Sequence, residues 1–165
     1  MNASPDLTST AYRAYQSSLS LAAMKGTDRS HALQLMAEAL LESQDDILEA
    51  NTLDLEASRE MAVPDLILDW LKLTPERLQI VGRALQRLGE SSDPIQQVLN
   101  IPSFQVDQCQ TYCQLMPLGV IALIYEALPE LGIIAAGLCI RTGNSLILRG
   151  GTEASHSNQA IATTL

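Results

Sequence analysis

Residues 116–158 read MPLGVIALIYEALPELGIIAAGLCIRTGNSLILRGGTEASHSN, and this stretch decides the fold. Gly119 to Tyr125 is almost wholly apolar, as expected of a strand buried on both faces of a parallel sheet. Pro129 and Glu130 then open a helix that runs to Arg141. Proline loses no hydrogen bond in a first helical turn, and an acid there meets the positive end of the helix dipole. Gly143-Asn144 supplies a left-handed stop, and Ser145 to Leu148 forms the returning strand. A Gly150-Gly151 turn and a polar helix start near Thr152-Glu153 follow. The order strand–helix–strand is the unit from which nucleotide-binding sheets are built.

Ligands of open α/β sheets sit beyond the carboxyl ends of the strands. Here those ends are Tyr125-Glu126-Ala127 and Arg149-Gly150-Gly151. The glycine pair permits close backbone approach to a ligand, and the helix start at Thr152-Glu153 offers N–H groups to an anion. An Arg near the end of the second strand suits the 2′-phosphate of NADP, because a guanidinium grips phosphate bidentately. The glycine-rich GxGxxG fingerprint is absent after the first strand, where EALPELG stands. Two readings of these residues therefore remain open: a nucleotide site, or a strand end carrying a solvated Arg. Glu126 is likewise either a base or substrate-orienting carboxylate, or an acid favoured by the helix dipole.

Upstream, residues 8–88 carry helical periodicity. Tyr12, Tyr15, Leu19 and Ala22 make one apolar stripe, expected to face the core and to be closed by Gly26. Thr27 or Asp28 can cap a second helix bearing Leu33, Met36, Leu40 and Leu41. Ser43 with Asp46 resembles a capping box ahead of a third helix with Ile47, Leu48, Leu55 and Met61. Val63-Pro64 interrupts it, and Asp65 to Leu71 forms a short amphipathic segment. Thr74-Pro75-Glu76 combines an N-cap, a first-turn proline and a first-turn acid. Leu78, Val81, Leu85 and Leu88 follow as the stripe of that helix, which Gly89 ends. Asp93-Pro94 marks a linker. Gln96 to Ile101 and Gln105 to Gln114 then read as two modest strands, a hairpin broken by Pro102-Ser103.

Composition narrows the class of function. Apolar residues form 47% of the chain, enough for a core, and one Phe with one Trp make that core aliphatic. A net charge of −9 argues against nucleic-acid binding, which needs clustered Lys and Arg. Ten acids and one base lie between Glu38 and Asp69, a pattern read as a solvated helix face. Gly132 to Ile140 is apolar but ends at Arg141, short of the ~20 residues that span a bilayer. The start, MNASPDLTST, lacks the basic and apolar regions of a signal peptide, so a cytoplasmic setting is expected. Cys109, Cys113 and Cys139 lack ligand-like neighbours and read as free thiols, not a metal site. His31 reads as structural. His156 follows Glu153 on one helix face, which suggests a local polar contact.

Several of these words together resemble γ-glutamyl phosphate reductase (glutamate-5-semialdehyde dehydrogenase), of the aldehyde dehydrogenase superfamily. They are Pro117-Leu118-Gly119-Val120-Ile121, Ile124-Tyr125-Glu126-Ala127, Gly143-Asn144, Leu148-Arg149-Gly150-Gly151-Thr152-Glu153-Ala154 and His156-Ser157-Asn158. Ile47-Leu48-Glu49-Ala50-Asn51 and Leu73-Thr74-Pro75-Glu76-Arg77-Leu78 extend the likeness over nearly the whole chain, but to the N-terminal part of a family member only.

The resemblance implies NADPH-dependent reduction of L-glutamate 5-phosphate to the semialdehyde, an oxidoreductase step of proline biosynthesis. It implies that Arg149, Gly150, Gly151, Thr152 and Glu153 line the adenosine end of NADPH, with Tyr125 and Glu126 bordering the nicotinamide and substrate. The family's nucleophilic cysteine lies in a later domain, so no catalytic residue is expected in this stretch. Cys139, inside the crossover helix, reads as packed. Leu128-Pro129-Glu130 replaces the family's usual Arg-Pro-Asn or Arg-Pro-Asp. The exchange removes a cation and is expected to add negative charge near the substrate.

The expected architecture is thus α/β: a helical segment over 1–92, a hairpin or linker strands over 93–116, and an incomplete Rossmann-like parallel sheet over 117–165. A few-stranded sheet leaves open edges, and the end at Thr163-Thr164-Leu165 has no cap, so a homo-oligomer or a partner protein is expected. Two alternatives to a reductase portion stand beside it: a truncated, non-catalytic paralogue that oligomerises or binds a partner, and a helical adaptor working through residues 8–88.

Overall fold

The computed structural model describes residues 7–99 and 113–165. Residues 7–90 fold as five helices: α1 (Leu7–Ala23), α2 (Gly26–Glu42), α3 (Gln44–Glu60), α4 (Asp65–Leu71) and α5 (Pro75–Glu90). Helix α5 starts as its sequence dictates. Thr74 is extended and its hydroxyl accepts from the Arg77 N–H, with Pro75 in the first turn. A hydrogen bond from its own backbone, and then one with the Thr74 hydroxyl, hold the Glu76 carboxyl below its usual range. The α2/α3 junction is built differently from the expected capping box. Ser43 makes no side-chain cap bond, because it also closes α2, its N–H donating to the Ala39 carbonyl.

One aliphatic core joins the helices. Leu33, Ala37 and Leu40 of α2, Ile47 of α3, and Leu78, Val81 and Leu85 of α5 are buried there. The expected stripes of α2, α3 and α5 thus face inward for the most part, with Leu41 and Met61 exposed. Helix α1 departs from expectation. Tyr12, Tyr15 and Leu19 are exposed, and the face that packs is Thr10, Ala14, Ser18 and Leu21. Small side chains win this position because the contact is close: the Ser145 hydroxyl donates to the Ala14 backbone carbonyl at 2.7 Å.

The presumed linker is anchored. Asp93 accepts from the buried Arg29 guanidinium at 2.7 Å, and its second oxygen accepts from the Ile95 N–H at 3.1 Å. Strands β1 (Val98–Leu99) and β2 (Cys113–Gln114) pair antiparallel, which is the hairpin as far as it can be followed. Ile101, most of the second expected strand and Cys109 lie outside the described residues.

Strand β3 (Val120–Ile124), helix α6 (Pro129–Arg141) and strand β4 (Ser145–Arg149) form the crossover unit, and α7 (Ser155–Thr164) follows a 3₁₀ turn at Thr152–Ala154. The strands lie side by side and parallel, from Val120 opposite Ser145 to Ile124 opposite Arg149. Gly143 takes the left-handed φ of 68° that reverses the chain after α6. Ile133 of α6 and Ile161 of α7 enter the helical core, so the sheet unit and the helices share one interior. Buried Arg141 fastens the end of α6 to that layer, donating to the Ser30 hydroxyl at 2.8 Å and to the Ser91 carbonyl. The strands are less covered than their apolar sequence suggests. Ile124 is 80% exposed, and Leu118, just before β3, is 85% exposed.

Candidate functional site

The parallel ladder brings the ends of β3 and β4 to one corner, where the Tyr125 N–H donates to the Arg149 carbonyl at 3.1 Å. Tyr125 is buried. Its phenol donates to the Asn158 side-chain oxygen at 3.0 Å, and burial pushes its pKa up. The ring needs the missing side chain of Gly132, where a Cβ would stand 2.8 Å from the phenol oxygen. Two residues on, Ala127 has a φ of 50°, a left-handed conformation that costs a non-glycine residue about 1–2 kcal/mol. Its N–H donates to the Glu153 carboxylate at 2.6 Å. Glu153 therefore turns toward the end of β3 and clamps the two strand ends together.

The Gly150-Gly151 turn is packed on its side-chain side. A Cβ on Gly150 would run into the Asn158 amide, and one on Gly151 into the Glu153 carboxylate. A side chain at either position would have to displace the Asn158 amide or the Glu153 carboxylate from where it stands. Arg149 points to solvent, and among the described residues its guanidinium has no hydrogen bond or ion pair. Glu126 and Thr152 are exposed as well. The corner thus gathers the candidate cofactor and substrate residues, with Arg149 outward and Tyr125 and Glu153 committed to internal bonds.

Two local expectations are corrected. His156 pairs with Asp54 on α3 and not with Glu153: its Nδ1 lies 2.8 Å from the Asp54 carboxylate. Glu130 is not loose negative charge; the Arg77 guanidinium pairs with it, and Arg77 also reaches the Trp70 carbonyl at 3.3 Å. The structure also brings Asp54, His156 and Ser157 together. The geometry is not that of a nucleophile and its base, because histidine and serine both bond the carboxylate and Ser157 is fully buried. Cys139 is packed as expected, and burial pushes its thiol pKa up. Among the described residues no group of His, Cys, Asp or Glu is arranged to hold a metal ion, and no helix is long and apolar enough to cross a membrane.

Asp54 and Asn51 escaped the sequence reading. A signal existed: with Ile47, Leu55 and Ser58 they fall on the buried face of α3. The other nine acids between Glu38 and Asp69 are on or near the surface, so Asp54 is the polar exception in an otherwise solvated run.

No protein-family model matches the chain. The chain is 56% identical over 147 residues to γ-glutamyl phosphate reductase 2 of Synechocystis, a match covering 89% of this chain and 35% of that protein. The crystal structure of γ-glutamyl phosphate reductase from Thermotoga maritima superposes with a TM-score of 0.86 at 29% identity, over 96% of this chain and 38% of that one. The enzyme from Saccharomyces cerevisiae also gives 0.86, at 26% identity, over 94% and 40%. The chain spans about a third of the length of the curated relatives it matches. In sequence and in fold, over nearly all its own length, it is similar to the N-terminal portion of γ-glutamyl phosphate reductases.

Proposed function

We propose that this chain is the NADPH-holding opening of a γ-glutamyl phosphate reductase, an enzyme that reduces L-glutamate 5-phosphate to the semialdehyde in a cytoplasmic pathway to proline. The observation that carries the reading is Arg149: a solvated guanidinium, unpaired among the described residues, beside a Gly-Gly turn at the carboxyl ends of two parallel strands. That set fits a phosphorylated dinucleotide, since the cation can take the 2′-phosphate while Gly150, Gly151 and Thr152 leave the approach open. Glu153 supports the turn from behind through Ala127. Tyr125 and Glu126 border the nicotinamide side, Tyr125 as a buried wall and Glu126 as an exposed carboxylate. Bound NADPH supplies hydride. The residues described here bind and orient, and the protonated thiol of Cys139 is unsuited to attack an acyl phosphate.

Fluorescence titration of the 165-residue protein with NADPH tests this. Saturable binding is expected, weakened at least about tenfold in Arg149→Glu, the scale of one lost charge-assisted phosphate contact. Retained affinity in that variant, or no binding by the wild type, would remove the basis of the reading. The same protein should oxidise NADPH with L-glutamate 5-phosphate no faster than the buffer does.

A second reading, association through the open strands, is favoured by the exposure of Met116 (79%), Leu118 and Ile124. Light scattering at micromolar concentration checks it: a dimer or larger species is expected, and a monomer would count against it. No NADPH binding at any concentration would favour the helical-adaptor reading of residues 8–88.

A further inference from the structure

Helix α7 begins without a cap of its own, for Ala154 at its N-cap position has no side chain that could accept a bond. Its first-turn N–H groups have no partners within the helix. Two of them are satisfied from across the molecule. One oxygen of Asp54 accepts from the His156 N–H at 3.0 Å and from the His156 Nδ1 at 2.8 Å. The other accepts from the Ser157 N–H and the Ser157 hydroxyl, both at 2.7 Å. A carboxylate only accepts, so the His156 Nδ1 is the donor of that contact. Asp54 is 2% exposed, and a negative charge at this end of α7 is favoured by the helix dipole. Asn51, on the same face of α3, donates to the Ser157 hydroxyl at 3.0 Å and to the Leu71 carbonyl at 2.9 Å, and accepts from the Leu73 N–H at 2.8 Å.

The residues flanking this clasp hold the cofactor corner. Asn158, next along α7, takes the Tyr125 phenol and fills the space beside Gly150. Glu153, just before α7, takes the Ala127 N–H and fills the space beside Gly151. We propose that Asp54 is a positioning residue for the cofactor site: by fixing the first turn of α7 from α3, it sets the shape of the turn through Gly150 and Gly151 without touching the ligand. The proposal rests on the NADPH reading above.

Asp54→Asn puts an amide donor where two donors already converge, and should weaken NADPH binding about tenfold, the scale of a lost charge-assisted bond. Leu40→Ala is the control, because it destabilises the shared core without removing any of the four bonds to Asp54, and should leave NADPH affinity unchanged. Amide exchange supplies the independent arm: the Ala127 and Ser157 amides should exchange faster in Asp54→Asn than in Leu40→Ala. If Asp54→Asn does not fold, Ser157→Ala removes one of the four bonds and should give the same two effects at smaller amplitude. Wild-type affinity in the folded Asp54 or Ser157 variant, or equal loss in Leu40→Ala, overturns the positioning role. Failure of the wild type to bind NADPH strikes the cofactor reading instead, and the exchange pattern at Ala127 then decides whether Asp54 shapes the corner.

Discussion

The helical layer and the strand pair are both rich in aliphatic residues, yet they end in opposite surroundings. Leu33 and Leu40 of α2 and Leu78 of α5 are fully buried, whereas Ile124 of β3 is 80% exposed. The helices close on one another, each offering one stripe to a common interior. The two-stranded sheet has α1 and α6 against it and leaves open strand edges among the described residues. An apolar run therefore tells that a surface expects cover, while only the fold tells whether the described chain provides it.

The largest expected effect tests this contrast at its extremes. Leu40→Ala should cost about 2–5 kcal/mol in urea unfolding, as cavity formation does in a closed core. Ile124→Thr keeps the β-branched shape and should stay within about 0.5 kcal/mol, as at other surface positions. If Ile124→Thr proves as damaging as Leu40→Ala, and more so at higher protein concentration, a second molecule covers the strands in solution. The contrast between the two regions would then be a property of the isolated chain alone.

A second test sits on the seam between the two regions. Arg29 is buried at the start of α2 and holds Asp93 at the exit from the helical layer. Arg29→Met should cost about 3 kcal/mol, because it leaves Asp93 without its cation in a largely buried place. Adding Asp93→Asn should recover much of that loss, since the amide oxygen can still accept from the Ile95 N–H. If the double variant is no better than the single one, the pair fixes a geometry that neutral residues cannot reproduce.

How much could be read from the chain follows the range of the interactions. The crossover was legible because its signals are local: Pro129 in a first turn, Gly143 at positive φ, and continuous apolar strands on either side. Helix α5 was legible for the same reason. The orientation of α1 was not, because periodicity gives the spacing of a stripe and not the neighbour it faces. Ala14 and Ser18 took the interior since β4 comes close enough to bond the helix backbone. At the site, Arg149 and the glycines were legible as residue types at a strand end. The partners of His156 and Glu153 were not. A rule of three or four residues cannot see Asp54, 102 positions away from His156, or Ala127 across the sheet.

The smallest effect concerns the solvent edge of the closed region. Glu76 lies in the first turn of α5, fully exposed, with its carboxyl pKa lowered by its backbone hydrogen bond and then by the Thr74 hydroxyl. A carboxyl whose pKa is lower in the folded state adds stability above its unfolded value of 4.5, and that gain disappears as pH falls through the folded value. Glu76→Gln should therefore be slightly less stable than the wild type at pH 7, and indistinguishable from it once both are acidified below the folded pKa. Thermal unfolding at a series of pH values reads the difference, which added salt should shrink because the group faces water. A gap that persists in acid would assign the role of Glu76 to shape and not to charge. The edge of the closed region would then be held by the same close fit as its interior.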